Sequence, residues 1–270
     1  MSRLEEALEQ ATKLKQFEAV PKEIQLADVT PLRCHCPYVT VLTQPESPIN
    51  EEYRKLKSKM MQAINQQGMN TFMITSAAKG EGKTITAINL ALSLVKEPHN
   101  SVLLIDCDVR NPSICHYLDI EPSLGLIDYF VGETDFANII IKPDIENFYV
   151  IPAGQPRLNT ENISSQHRMN KLIEHVKQQR IAKYTIIDTP PILLYADAFD
   201  VGHYVDAVLF VIKEGHTPIK KVQEALNILK NFTLLGIVFN NASSAPPSTP
   251  YYYNPKLKQK IAAKSLSEDS

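Results

Sequence analysis

A chain of 270 residues with a formal net charge of −2 suits one α/β domain with appendages, or at most two small domains. Its 44% hydrophobic and 21% charged content is that of a soluble globular protein, and the charge balance argues against a protein built chiefly to hold nucleic acid. No stretch approaches the roughly 20 apolar residues of a membrane span, the start lacks a signal-peptide core, and four cysteines make no disulfide framework at this size; a cytoplasmic protein is expected.

In chain order, residues 2–17 predict an amphipathic helix, with Ser2 and Glu5 as a capping box and Leu4, Ala7, Leu8, Ala11 and Leu14 on one face. Such a helix (domain 1–18) either packs back on the core or docks a partner. Residues 19–48 carry five prolines without sustained periodicity and read as a linker. Within it, Cys34-His35-Cys36 has the look of a metal half-site but no obvious second pair, and reduced thiols are the expectation. Helical spacing resumes over 49–66 through Ile49, Tyr53, Leu56, Met60 and Ile64, with Glu51, Arg54 and Lys57 at steps of three on the charged face.

Thr71–Ser76 reads as a buried strand, 77–84 as a phosphate loop of the pattern [AG]-x-x-x-x-G-K-[ST], and 85–95 as a helix. Gly80 and Gly82 permit tight turns that aim backbone N–H groups at a polyphosphate, and the helix N-terminus adds positive charge. Lys83 contributes a full positive charge and Thr84 a hydroxyl for Mg2+. The predicted nucleotide contacts are therefore Ala78, Lys79, Gly80, Glu81, Gly82, Lys83, Thr84 and Ile85.

A second strand, 101–106, ends in Asp106-Cys107-Asp108-Val109-Arg110, where open α/β sheets place their ligand crevice. Its carboxylates can hold Mg2+ or take a proton from a nucleophile, and Arg110 can counter phosphate charge. Short helices are expected over 123–141, a strand over 148–152 and a polar helix over 165–180. Tyr184–Asp188 then gives a strand ending in a further metal-site carboxylate, Asp188. Residues 206–213, 218–232 and 235–240 form a strand–helix–strand unit, with Asn240 a candidate either for an adenine edge or for capping a loop. The alternation predicts an α/β fold of the P-loop NTPase kind, a mostly parallel sheet with helices on both faces, over residues 49–241. The tail, 242–270, holds Tyr251, Tyr252 and Tyr253, and about ten extended residues carry them ~33 Å, enough to reach a neighbouring site.

Taken together over roughly residues 49–253, these motifs resemble those of the bacterial tyrosine autokinases of capsular and exopolysaccharide synthesis and export. The resemblance rests on Ser76–Thr84, on Val102–Arg110, on Ile186–Pro191, and on Ile151–Gly154 with the following Asn159–Ser165. It implies ATP and Mg2+ as cofactors and phosphotransfer in trans to Tyr251, Tyr252 and Tyr253. Lys83 would hold the β- and γ-phosphates, Thr84, Asp106 and Asp188 the metal, and Asp106 or Asp108 would assist removal of the tyrosine proton. Arg110 follows the family motif and serves either the transfer or a subunit contact. Glu51, Arg54 and Lys57 resemble the helix through which members associate into a homo-oligomer, a ring or dimer. The implied partners are the cytoplasmic segment of a membrane-spanning chain-length (co-polymerase) protein and a tyrosine phosphatase. The N-terminal segment looks closer to stand-alone kinases of exosortase-linked clusters. Three departures stand out: Lys57 where arginine is usual, Lys79 where proline is common, and a short tyrosine set. Two other readings share the loop and sheet. One is a partition or septum-site ATPase switch, against which stand Ala78 at its signature-lysine position and the tyrosine cluster; the other is a non-catalytic nucleotide-gated scaffold.

Overall fold

Short apolar runs set the centre of the molecule. β1 (Thr71–Ser76), β2 (Val102–Asp106) and β4 (Tyr184–Asp188) are buried at every residue, as strands covered on both faces must be. With β3 (Phe148–Ile151), β5 (Ala207–Lys213) and β6 (Leu234–Asn240) they form one sheet in the order β3-β2-β4-β1-β5-β6. Every pairing in it is parallel, so the expected mostly parallel sheet is parallel throughout.

The computed structural model describes residues 29–122, 124–155, 166–179 and 181–243. The N-terminal helix expected at 2–17, the segment Asn159–Ser165 and Tyr251, Tyr252 and Tyr253 lie outside the described residues. The chain divides into two units, 1–240 and 241–270.

Side chains alternate across the sheet and build two apolar layers. Phe72, Ile74 and Leu104 face α1 (Thr40–Thr43), α2 (Pro48–Gln67), α3 (Lys83–Val95) and α4 (Ile114–Leu118). Met73, Leu103 and Phe210 face α5 (Leu126–Val131), α6 (Gln166–Gln179), α7 (Ala196–Gly202) and α8 (Ile219–Leu229). The edge strand β6 is only partly covered, and Ile237 and Phe239 stay exposed.

The ends of α2 follow local chemistry. The Ser47 side chain accepts from the Ile49 N–H, Pro48 sits in the first turn, and Gly68, at φ 68°, closes the helix. Met60 and Ile64 are buried, as the spacing predicts, but Ile49 is exposed, so the apolar face begins later than expected.

The stretch expected as a linker is corrected from residue 29 onward, because it packs. Val39 and Val41 are buried, and Asn89 of α3 accepts the Val41 N–H and donates to the Tyr38 carbonyl. Asn50 ties the same segment to α2, accepting from the Thr40 hydroxyl and donating to the carbonyls of Thr40, Gln44 and Pro45.

Candidate active site

Parallel register brings the distant motifs together. Asp106 pairs with Asp188 across β2 and β4, and Ile74 pairs with Asp188 across β1 and β4. Both carboxylates therefore stand at the carboxyl edge of the sheet, beside the loop that follows β1. That loop turns through Gly80 (φ 77°) and Gly82 (φ 90°), and Gly82 caps α3 with no side-chain bond. The first N–H groups of α3 thus lack a side-chain cap at the point where a phosphate loop presents them to its ligand.

Lys83 lies at the centre of an acidic cluster. Its Nζ is 2.8 Å from Asp108 Oδ2 and 3.4 Å from Asp188 Oδ2. The Thr84 hydroxyl donates to Asp188 Oδ2 at 2.6 Å. Asp106 is spent largely on backbone: Oδ1 accepts the Asp108 N–H, and Oδ2 accepts those of Ser113 and Ile114. This bends the segment after β2 back toward the loop and brings Ser113 Oγ within 3.4 Å of Thr84 Oγ1. Ser113 carries no sequence signal of this role.

The charges are strongly coupled. Burial works against the Lys83 ammonium, but Asp188 and Asp108 overcome it and hold its pKa above the usual lysine range. Burial, then the neighbouring Asp188 charge, pushes Asp106 up to about 7 against the pull of its backbone donors. Burial likewise raises Asp188, with Lys83 and Thr84 opposing it. Among the described residues, Asp188 Oδ1 is a buried side-chain oxygen with no hydrogen-bond partner. An orphaned carboxylate oxygen beside a threonine hydroxyl is an oxygen donor set that suits Mg2+. Thr84, Asp188 and Asp106 are the residues here that could hold the metal.

The phosphate loop is also braced from within. Glu81 is fully buried, with Oε2 accepting the Ala78 N–H at 2.7 Å and Oε1 accepting the Thr217 hydroxyl. Asn240 Nδ2 donates to the Glu81 carbonyl at 2.8 Å, and His216 Nε2 donates to the Lys79 carbonyl at 3.1 Å. Gly82 sits at φ 90°, a conformation strained for any L side chain, and a Cβ there would also lie 2.0 Å from Asn240 Nδ2. Asn240 thus supports the loop from the end of β6, as the loop-capping reading expects. His216 and Thr217 were not anticipated.

Arg110 reaches a carboxylate of α7 and an aromatic ring beside it. Its Nε is 3.2 Å from Asp197 Oδ2, and its guanidinium lies 4.8 Å from the centre of the Tyr195 ring. Lys79 Nζ lies 5.6 Å from the same ring. Neither Tyr195 nor Asp197 stands out in the sequence.

The remaining expectations lie elsewhere on the surface. Glu51 and Arg54 pair with each other and remain exposed. Lys57 turns inward to Glu97 with its side chain 11% exposed, apart from the outward Glu51–Arg54 pair. His35 binds Asp119 through its N–H and Nδ1, and Cys34 donates to the Tyr117 carbonyl, so the Cys-His-Cys segment fastens the chain to the end of α4. Among the described residues no helix is long and apolar enough to cross a membrane.

The family described as "AAA domain" matches residues 69–234, more than half of the chain. "Tyrosine-protein kinase YwqD" of Bacillus subtilis is 31% identical over 223 residues, covering 81% of this chain and 92% of its own. The kinase domain of the Escherichia coli tyrosine kinase Etk superposes with a TM-score of 0.69 at 27% identity, covering 80% of this chain and 85% of that one. The septum site-determining protein MinD of Pyrococcus horikoshii, solved with Mg-ADP, superposes at 0.57 with 20% identity over 71% of this chain and 76% of its own, which shows the shared fold alone.

Proposed function

The chain belongs to the bacterial tyrosine-protein kinases built on an AAA-type domain, and on that premise we propose that it transfers the γ-phosphoryl group of ATP to tyrosine. Its acceptors are Tyr251, Tyr252 and Tyr253 in a second copy, within a ring or dimer. The observation that carries this reading is Lys83 held between Asp108 and Asp188. The three side chains mark a place for a phosphate and, next to it, a carboxylate able to receive a proton.

When ATP binds, Lys83 gives its charge to the β- and γ-phosphates, and Asp108 loses its partner. The tyrosine oxygen bonds to the γ-phosphorus as the bond from that phosphorus to the β–γ bridging oxygen breaks. The electron pair leaves on ADP, and the phenolic proton passes to Asp108 and on to solvent. Thr84, Asp106 and Asp188 would hold Mg2+, and the ion would supply neutralisation of phosphate charge. Arg110, positioned by Asp197 and Tyr195, adds positive charge at the rim.

A partition-type switch needs the nucleotide site but neither an acceptor carboxylate nor tyrosines, and Ala78 occupies the place of its signature lysine. We further infer a role in exopolysaccharide polymerisation or export, at the inner face of the plasma membrane, through the cytoplasmic segment of a chain-length protein and under a tyrosine phosphatase. Phosphopeptide mass spectrometry after incubation with Mg2+, ATP and that segment tests the activity. Phosphotyrosine that disappears in Lys83→Ala is expected; ATP turnover with every tyrosine unmodified would contradict it.

A further inference from the structure

The Tyr195 ring, against which Arg110 and Lys79 stand, also lines an open groove. The groove has a volume of about 600 Å³ and runs between the segment after β4 and the end of α8. Its walls include Leu193, Leu194, Phe199 and Ile228, with Asn227 and Asn231 along one side. Leu194 is 47% exposed, although it lies only six residues beyond Asp188. At the Tyr195 end, Lys79 of the phosphate loop and Arg110 stand against the ring, so an apolar channel ends at a positively charged lip.

We propose that this groove is the acceptor-docking site, and that its occupant is the proline-flanked tyrosine segment, residues 246–255, of a second copy of this chain. The proposal rests on the kinase reading above. Four observations select this occupant. The segment Pro-Pro-Ser-Thr-Pro-Tyr-Tyr-Tyr-Asn-Pro has prolines on both sides of its tyrosines, which favours extended backbone with few conformations to lose on binding. Aromatic-lined grooves with side-chain amides recognise such segments, through ring–proline packing and bonds to carbonyls the extended backbone leaves unpaired. The described chain ends at Ser243, and the tyrosines follow by eight to ten residues, a reach of roughly 30 Å. Finally, Tyr195 lines the groove and its ring lies 5.6 Å from Lys79 Nζ of the phosphate loop, so a bound segment would lead a tyrosine toward the loop. The charged lip matches the phosphate that the tyrosine acquires there. Tyr195 is then a positioning residue with two duties: it holds Lys79 and Arg110 by cation–π contact and closes the groove behind the acceptor.

The test, in Mg2+ and ATP with the cytoplasmic partner segment, uses the full chain carrying Tyr251→Phe, Tyr252→Phe and Tyr253→Phe, so that its own tail takes no label, and a synthetic peptide of residues 243–259 as acceptor. Exposed Leu194 is replaced by Glu, with Leu194→Ala as a milder second variant. An acceptor KM raised about tenfold in Leu194→Glu, less in Leu194→Ala, with kcat retained at saturating peptide, is the expected result. Tyr195→Phe should keep KM and kcat, whereas Tyr195→Leu should lower kcat as well. Peptide phosphorylated with the same KM by all variants would overturn the groove and leave the kinase reading standing. ATP hydrolysed with no phosphate on the peptide in the parent chain would overturn both.

Discussion

Glu81 spends both carboxylate oxygens inside the phosphate loop, on the Ala78 N–H and the Thr217 hydroxyl. Glu81→Gln sets an amide N–H2 against one of these donors, at a cost of about 1–3 kcal/mol in a buried place. Calorimetric titration should find ATP binding weakened about tenfold, with a lower melting temperature. The carboxylate cluster gives a second test. Folded Asp106 keeps its proton up to about pH 7, whereas the unfolded chain releases it near 3.8. Its contribution therefore favours folding at low pH and is lost as pH rises across that interval. Nucleotide-free protein should lose melting temperature between about pH 4 and 7, and Asp188→Asn, which removes the neighbouring charge, should flatten that loss. Equal slopes would show that the two carboxylates are not coupled. Lys83, Thr84, Asp106 and Asp188 were legible in sequence because a strand end followed by a fixed motif places them. Ser113, Tyr195, Asp197 and Thr217 were not, since each acts only through a partner brought in by tertiary folding.

Helices and strands were readable where a period stated them, as with the helical spacing of α2 and the apolar runs that became β1, β2 and β4. Segment 38–47 was missed because it is held by single polar side chains, which leave no period. Asn50, buried at the start of α2, bonds to three carbonyls and one hydroxyl there. Asn50→Ala is expected to destabilise the chain by about 2–3 kcal/mol and to speed amide exchange across residues 38–47, with β1 and β4 unchanged. Exchange mass spectrometry reads both, and unchanged protection at 38–47 would mean that α3, through Asn89, holds the segment without help.

For the whole molecule, the claim is transfer between copies. Lys57 is committed to Glu97 within its own chain, whereas Glu51 and Arg54 face outward. Sedimentation should show Arg54→Ala shifting the protein to smaller assemblies and Lys57→Ala leaving the distribution near that of the parent; the reverse order would place Lys57 in the contact. The most direct measurement mixes two forms in Mg2+ and ATP with the cytoplasmic partner segment. One form carries Lys83→Ala with its tyrosines intact, and the other is active with Tyr251, Tyr252 and Tyr253 replaced by Phe. The account predicts phosphate on Tyr251–Tyr253 of the Lys83→Ala copies, found by phosphopeptide mass spectrometry only when the active form is present. ATP consumed by the active form while those tyrosines stay unmodified would contradict it and leave a nucleotide-driven switch as the reading of this fold.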